Sequence, residues 1–219
     1  LEEALTIQIK VSVTQDLGYT AEATQPAKLE KVTALKQGVP YVITEKNTGA
    51  ALSGNMLYKS STGYKGLNSI EGLELVSNVT ADNAPVWYYD GTHLLYGTPK
   101  GSNNYLVFNS SNQVALGSIN EAKIFDKVAL YSSSAKTFTL YPSGKSSGST
   151  NYYLNQYGGG NYNVAYLWSY TSTSQWHFSQ LTEQKTVSLN VTPGLSQLAK
   201  GKTANLTAAV TVNGAAVSN

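Results

Sequence analysis

Apolar residues in this chain come in short runs separated by turn residues. Leu5 to Val13 sets Leu5, Ile7, Ile9, Val11 and Val13 against Thr6, Gln8, Lys10 and Ser12, the period-two pattern of a half-buried strand. Residues 15–26 are polar without periodicity and read as a linker, and 29–35 reads as a short strand or a turn of helix. From Val39 the runs come at short intervals: 40–44, 56–58, 73–76, 86–89, 93–96, 105–108, 114–116, 128–131, 138–141, 152–154, 165–168 and 176–178, each bounded by Gly, Ser, Asn, Asp or Pro. Asp90-Gly91, lying between two of them, is the strongest hairpin signal. No stretch between Val39 and Leu181 sustains a helical period. The pattern predicts an all-β chain with a closed architecture.

The runs also repeat. Val86 to Val128 and Phe138 to Leu181 follow the same order of strands and turns, and Val39 to Val86 follows it more loosely. Three units of about forty to fifty residues with about four strands each predict a β-trefoil over residues 29–182. After Leu181 the character changes. Lys185 to Val191 and Thr203 to Val212 alternate around a Gly201-Lys202-Thr203 turn, like the opening strands of a bacterial immunoglobulin-like sandwich. Residues 185–219 are therefore expected to be part of an Ig-like domain. Residues 1–22 are expected to be an isolated strand and linker, the strand fitting the end of such a domain. Unpaired alternating strands are aggregation-prone edges, so residues 5–13 are expected to pair with strands from 185–212.

The third unit resembles the ricin-type lectin repeat. The residues that carry the resemblance are Leu154-Asn155, Val164 with Leu167-Trp168, and Trp176. Two departures stand out. The family's sugar-binding Asp is Asn155 here, and its Gln-x-Trp reads Ser174-Gln175-Trp176. In the second unit the Asp position falls on Val107, so a sugar site there is expected to be lost. The resemblance implies a sugar lying on Trp168, with Asn155 as the polar anchor and Thr173 and Gln175 as supporting groups. The alternative is that Trp168 is core.

The surrounding composition suits that chemistry. Residues 151–181 set nine aromatic side chains among Gly, Asn, Ser and Thr. Rings supply area for the C–H faces of a sugar, and short polar side chains hold its hydroxyls. The competing reading is that most of these rings are strand core, since Val164, Tyr166, Trp168 and Tyr170 alternate along one face.

Charge narrows the choice. Only 13% of residues are charged, the net charge is +2, and all 15 basic residues are lysine. Without arginine the bidentate fork used on phosphates and base edges is missing, which argues against a nucleic-acid partner. The chain has no cysteine, which excludes disulfides and thiolate metal sites. The two histidines, His93 and His177, make neither a metal cluster nor a triad, and alternation predicts His177 as an exposed strand residue. Glu71, Glu74, Asp82, Asp90, Glu121 and Asp126 sit in no glycosidase motif, and the glycines at 158–160 lack the Lys and helix of a phosphate cradle.

No catalysis, cofactor, metal or membrane insertion is expected. Low charge, no Cys and many Tyr, Ser, Thr, Asn and Gly resemble a bacterial extracellular or cell-surface protein, of which this chain reads as an internal piece. The expected function is non-catalytic binding of a glycan or polysaccharide, including those of host or cell-surface glycoproteins. The alternative is a structural or protein-binding module of an adhesin that binds no sugar.

Overall fold

The computed structural model describes residues 19–57, 72–109, 112–120, 123–158, 164–193 and 206–216. The chain is all-β: among the described residues the one helical element is a 3-10 turn at Ser172–Ser174. The strands are β1 (Tyr19–Gln25), β2 (Lys28–Lys31), β3 (Pro40–Glu45), β4 (Ala51–Leu57), β5 (Gly72–Val76) and β6 (Trp87–Tyr89). They continue with β7 (Leu94–Tyr96), β8 (Tyr105–Phe108), β9 (Val114–Gly117), β10 (Lys127–Ser132), β11 (Thr137–Tyr141) and β12 (Ser146–Ser147). The last are β13 (Thr150–Tyr157), β14 (Val164–Ser169), β15 (Trp176–Thr182), β16 (Lys185–Pro193), β17 (Leu206–Val212) and β18 (Ala215–Ala216). They divide into two compact units, Lys28–Thr182 and the segments up to Ala27 and from Glu183 onward.

The terminal unit is an antiparallel sheet in the order β1, β16, β17, β18. Its first strand corrects the sequence reading, because Tyr19–Gln25 lies within the stretch read as linker. Thr, Ala, Glu and Gln give a weak period-two signal, and it is the ladder from Tyr19 opposite Val191 to Gln25 opposite Lys185 that makes this stretch a strand. Residues 5–13, expected to pair here, lie outside the described residues. β17 and β18 are joined by Asn213-Gly214, both with positive φ (50° and 80°), the conformation that two-residue hairpin loops require. The Asn213 side chain also accepts from the Thr186 amide at 2.9 Å.

In the larger unit the pairings close on themselves. β15 pairs with β3, β3 with β6, β6 with β7, and β7 with β8. β8 then pairs with Ile124 through Val107, reinforced by the Phe108 amide on the Lys123 carbonyl and the Phe125 amide on the Leu106 carbonyl. The chain runs from there into β10, which pairs with β11, and Phe138 of β11 lies opposite Trp176 of β15.

Against it lie the β4–β5 and β13–β14 hairpins, joined where β5 pairs with β14, and Gln113, just before β9, bridges Tyr166 of β14. Gly72 is required at that junction, since a Cβ there would collide with the Ala165 carbonyl. Tyr41, Ile43, Leu52, Trp87, Leu106, Phe125, Phe138, Leu154, Trp176 and Phe178 fill one core.

Two of the repeats share a contact that periodicity could not reveal. The buried Trp87 indole donates to the Leu52 carbonyl at 2.7 Å, and the buried Trp176 indole donates to the Leu154 carbonyl at 2.9 Å. A buried indole N–H needs an acceptor, and both indoles find it on the strand of the adjoining hairpin. Trp87 thus stands to β4 as Trp176 stands to β13. The Asp90-Gly91 signal does mark a hairpin, with Tyr89 opposite Leu94. Its loop is stapled by the Asp90 carboxylate, which accepts from the Thr92 and His93 amides at 2.8 and 2.7 Å.

His177 is a correction. Alternation turns it away from Trp176 and Phe178 as expected, but the side chain is buried, with Nδ1 2.9 Å from the Lys136 carbonyl. A carbonyl only accepts, so Nδ1 carries the proton. Burial pulls the His177 pKa below its ordinary 6.5; the bond to Lys136 opposes this, and the nearby Lys31 and Lys46 ammonium groups reinforce it. The unfolded chain then binds the proton first. The stability that His177 contributes is complete above pH 6.5 and is lost as pH falls below that value. Thermal unfolding of wild type and His177→Gln between pH 7 and 5 should show a steeper acid loss in the wild type. Parallel curves would contradict this account.

Candidate functional site

The β13–β14 hairpin carries an aromatic surface. Its register sets Tyr153 opposite Trp168 and Asn155 opposite Tyr166. One row of ring contacts runs from Tyr157 to Tyr166 to Trp168 to Tyr152, with centroids 5.2, 6.1 and 6.0 Å apart. Tyr166 and Tyr152 lie within 32° and 29° of parallel to the Trp168 indole. A second row runs from Tyr141 to Tyr153 to Tyr170 to Tyr131. Trp168 is 47% exposed, Tyr170 39% and Tyr131 54%, whereas Trp87 and Trp176 are fully buried. Trp168 is therefore surface and not core.

The polar residues expected around it have a different place. Asn155 has no exposed surface, so it cannot reach a ligand from where it sits. Its Nδ2 donates to the carbonyls of Tyr153, Trp168 and Ser169 at 2.9, 3.2 and 3.4 Å. Its Oδ1 accepts from the hydroxyls of Thr171 and Ser174, both at 2.7 Å, and Thr173 at 3.3 Å. Carbonyls only accept while hydroxyls adapt, so the three carbonyls fix which end of the amide faces them.

The segment bonded to Asn155 is a capped 3-10 turn. Thr171 is its N-cap: its hydroxyl accepts from the Thr173 amide, and the Ser174 hydroxyl accepts from the Thr171 amide at 2.8 Å. Asn155 fastens this turn to the hairpin. It anchors a loop where the resemblance implied a sugar.

Gln175 also departs from the expectation. It is buried; Nε2 donates to the Tyr170 hydroxyl at 2.8 Å, and Oε1 accepts from Lys46 Nζ at 3.1 Å and the Thr137 hydroxyl at 3.4 Å. Gln175 thus orients Tyr170. Thr173 is half-buried, its hydroxyl 2.9 Å from that of Thr171. Val107, at the Asp position of the second unit, is buried in a minor apolar cluster with Leu95 and Tyr105.

Burial of the Tyr170 ring raises its phenol pKa, and the bond with the neighbouring Tyr131 phenol raises it further, against the opposing bond from Gln175. The Tyr170 phenol is thus neutral near neutral pH and accepts from Gln175 while keeping its own proton.

Sequence reasoning missed Glu45. Its carboxylate is fully buried and accepts from the Asn47 amide (2.9 Å), the Asn47 side chain (3.0 Å), the Thr48 amide (2.7 Å) and the Thr48 hydroxyl (2.9 Å). The same turn holds the 3-10 segment from its other side. Asn47 Nδ2 donates to the Ser172 carbonyl at 3.1 Å and the Lys46 amide to the Gln175 carbonyl at 2.9 Å. The available signal was an acid placed before Asn47-Thr48-Gly49.

Beside Tyr152 lies a cleft lined by Phe108, Ile124, Pro142, Lys123, Asp126 and Lys145, with Ser143 and Gly144 completing it. Burial tends to raise the Asp126 pKa, but the Ser143 hydroxyl and amide bonds at 2.6 and 2.7 Å outweigh it and hold the group ionised below its ordinary range. Among the described residues no group of His, Cys, Asp or Glu side chains is arranged to hold a metal ion, and no helix is long and apolar enough to cross a membrane. No protein-family model, curated protein or solved structure matches the chain.

Proposed function

We propose that residues 28–182 form a β-trefoil that acts as a non-catalytic carbohydrate-binding module of a bacterial extracellular protein, with the terminal strands as Ig-like pieces. The closed circuit of strands and the repeated indole-to-carbonyl bond of Trp87 and Trp176 support the trefoil reading. The binding reading rests on Trp168. It is the one tryptophan with an exposed indole, and rings on either side lie close to parallel with it. A flat apolar face bordered by phenol hydroxyls suits the C–H face and hydroxyls of a sugar. The polar set beneath it, Asn155, Thr173 and Gln175, serves to position the loop and Tyr170. Tyr152, Tyr166 and Tyr170 take over the contacts to sugar.

Because Trp87 and Trp176 are buried, the part of the fluorescence that external quenchers reach reports on Trp168. A glycan array on residues 28–182 should return ligands that Trp168→Ala loses by about tenfold or more, without a change in melting temperature. The same ligands should protect wild-type fluorescence from acrylamide. Absence of any glycan ligand, or binding indifferent to Trp168→Ala, would sink the proposal. The second reading is a structural or protein-binding surface that binds no sugar. It is favoured by the exposed Leu130 beside Tyr131, an aliphatic group of the kind that proteins bury.

A further inference from the structure

The row through Trp168 does not stop at Tyr152. Lys145 Nζ sits 5.7 Å above the Tyr152 ring. The placement is built in: the Tyr152 amide donates to the Lys145 carbonyl at 3.1 Å, and Ser146 and Ser147 pair with Asn151 and Thr150 in the hairpin just beyond. Lys145 is also one wall of the cleft that holds Lys123, on an apolar floor of Phe108, Ile124 and Pro142. Among the described residues no carboxylate lies within ion-pairing distance of either lysine. The acid of the cleft, Asp126, has its oxygens engaged by Ser143 and lies near Lys127 as well. Lys145, over a ring at the end of the aromatic platform, thus shares a cleft with a second cation.

We propose that Lys145 and Lys123 form a subsite for an anionic substituent, a carboxylate or sulfate, on a sugar that continues from the Trp168 platform. The proposal rests on the carbohydrate-binding reading and adds the class of glycan. The platform takes the C–H face of one residue, and the lysines take the charge of the next. A cation over a ring keeps its attraction for the ring while its remaining N–H groups donate outward. Charge-assisted bonds of this kind are partly exposed, so they add selectivity at low salt and are screened by high salt.

The test is affinity electrophoresis of the full chain in gels holding dextran, dextran sulfate or polygalacturonate, at about 50 and 500 mM salt. Wild type, Lys145→Gln, Lys123→Gln and Trp168→Ala are compared, with melting temperatures confirming that each is folded. Wild type should be retarded most by the acidic polymers, and the preference should shrink at high salt. Lys145→Gln should weaken acidic binding about five- to tenfold and leave dextran retardation unchanged. Trp168→Ala should weaken all three.

An acidic preference that survives Lys145→Gln and Lys123→Gln overturns the subsite, since it then reflects surface lysines in general. Equal retardation by neutral and acidic polymers that only Trp168→Ala reduces overturns the subsite and leaves the carbohydrate reading standing. Retardation by none overturns both. A difference between dextran sulfate and polygalacturonate identifies which anion the lysines take.

Discussion

Replacing Asn155 by Asp, the residue the ricin-type repeat carries, should destabilise the larger unit by about 3–5 kcal/mol at pH 7. In a protein of this size that lowers the melting temperature by about 10 °C or more. The substitution is nearly isosteric, and the cost comes from chemistry. Three carbonyls now receive the Nδ2 protons, and a carboxylate oxygen in that place would face them with no proton to share. The charge would also lie where Asn155 has no exposed surface.

Both effects raise the introduced carboxyl's pKa above its unfolded value of about 3.9. The ionisation part of the penalty is full above the raised folded value and vanishes below the unfolded one, because there both states are protonated. The gap between variant and wild type should therefore narrow as pH falls from 7 towards 4. Urea unfolding at several pH values measures it. A variant as stable as wild type at pH 7, or a gap that widens in acid, would contradict the buried-anchor assignment. Asn155→Ala should be destabilising without that pH dependence.

Glu45→Ala should cost about as much, roughly 3–5 kcal/mol, because it removes the acceptor for two amides, a hydroxyl and a side-chain amide at once. Glu45→Gln keeps one acceptor oxygen but turns an NH2 group towards the other donors, and should fall between. The consequence extends beyond stability. The turn that Glu45 organises holds Ser172 and Gln175 in place, and Gln175 orients the Tyr170 ring. Solvent exposure of Tyr170, followed by its reactivity towards tetranitromethane, should rise in Glu45→Gln under conditions where the variant is still folded. A loss under 1 kcal/mol for Glu45→Ala would show that water serves those donors equally well.

Asn155 and Glu45 act on the same loop from opposite sides. Each is a single short polar side chain whose hydrogen-bonding capacity is used internally. That is the usual condition for a polar group buried without loss of stability. Neither touches the exposed rings, yet the turn they hold presents one of them. The candidate site is thus an aromatic surface on a polar frame.

Much of the architecture was legible in the chain. Period-two alternation and closely spaced turn residues point to strands, and among the described residues between Val39 and Leu181 most strands lie where the apolar runs lie, because burial of one strand face writes itself directly into the sequence. Local turn chemistry was legible as well, at Asp90-Gly91.

What the sequence could not supply was which side of each polar residue meets protein and which meets water. Tyr19–Gln25 has too little hydrophobic contrast to announce a strand, and only its pairing with β16 makes it one. His177 alternates as an exposed residue does, yet Lys136 from a distant strand end covers it. Asn155 and Gln175 occupy motif positions that read as ligand contacts, and a loop 16 to 19 residues further along buries the first while Lys46, 129 residues away in sequence, reaches the second. Periodicity records the burial of apolar faces because that is a property of each strand. Burial of a polar side chain depends on partners brought from far along the chain, and only the tertiary structure decides it.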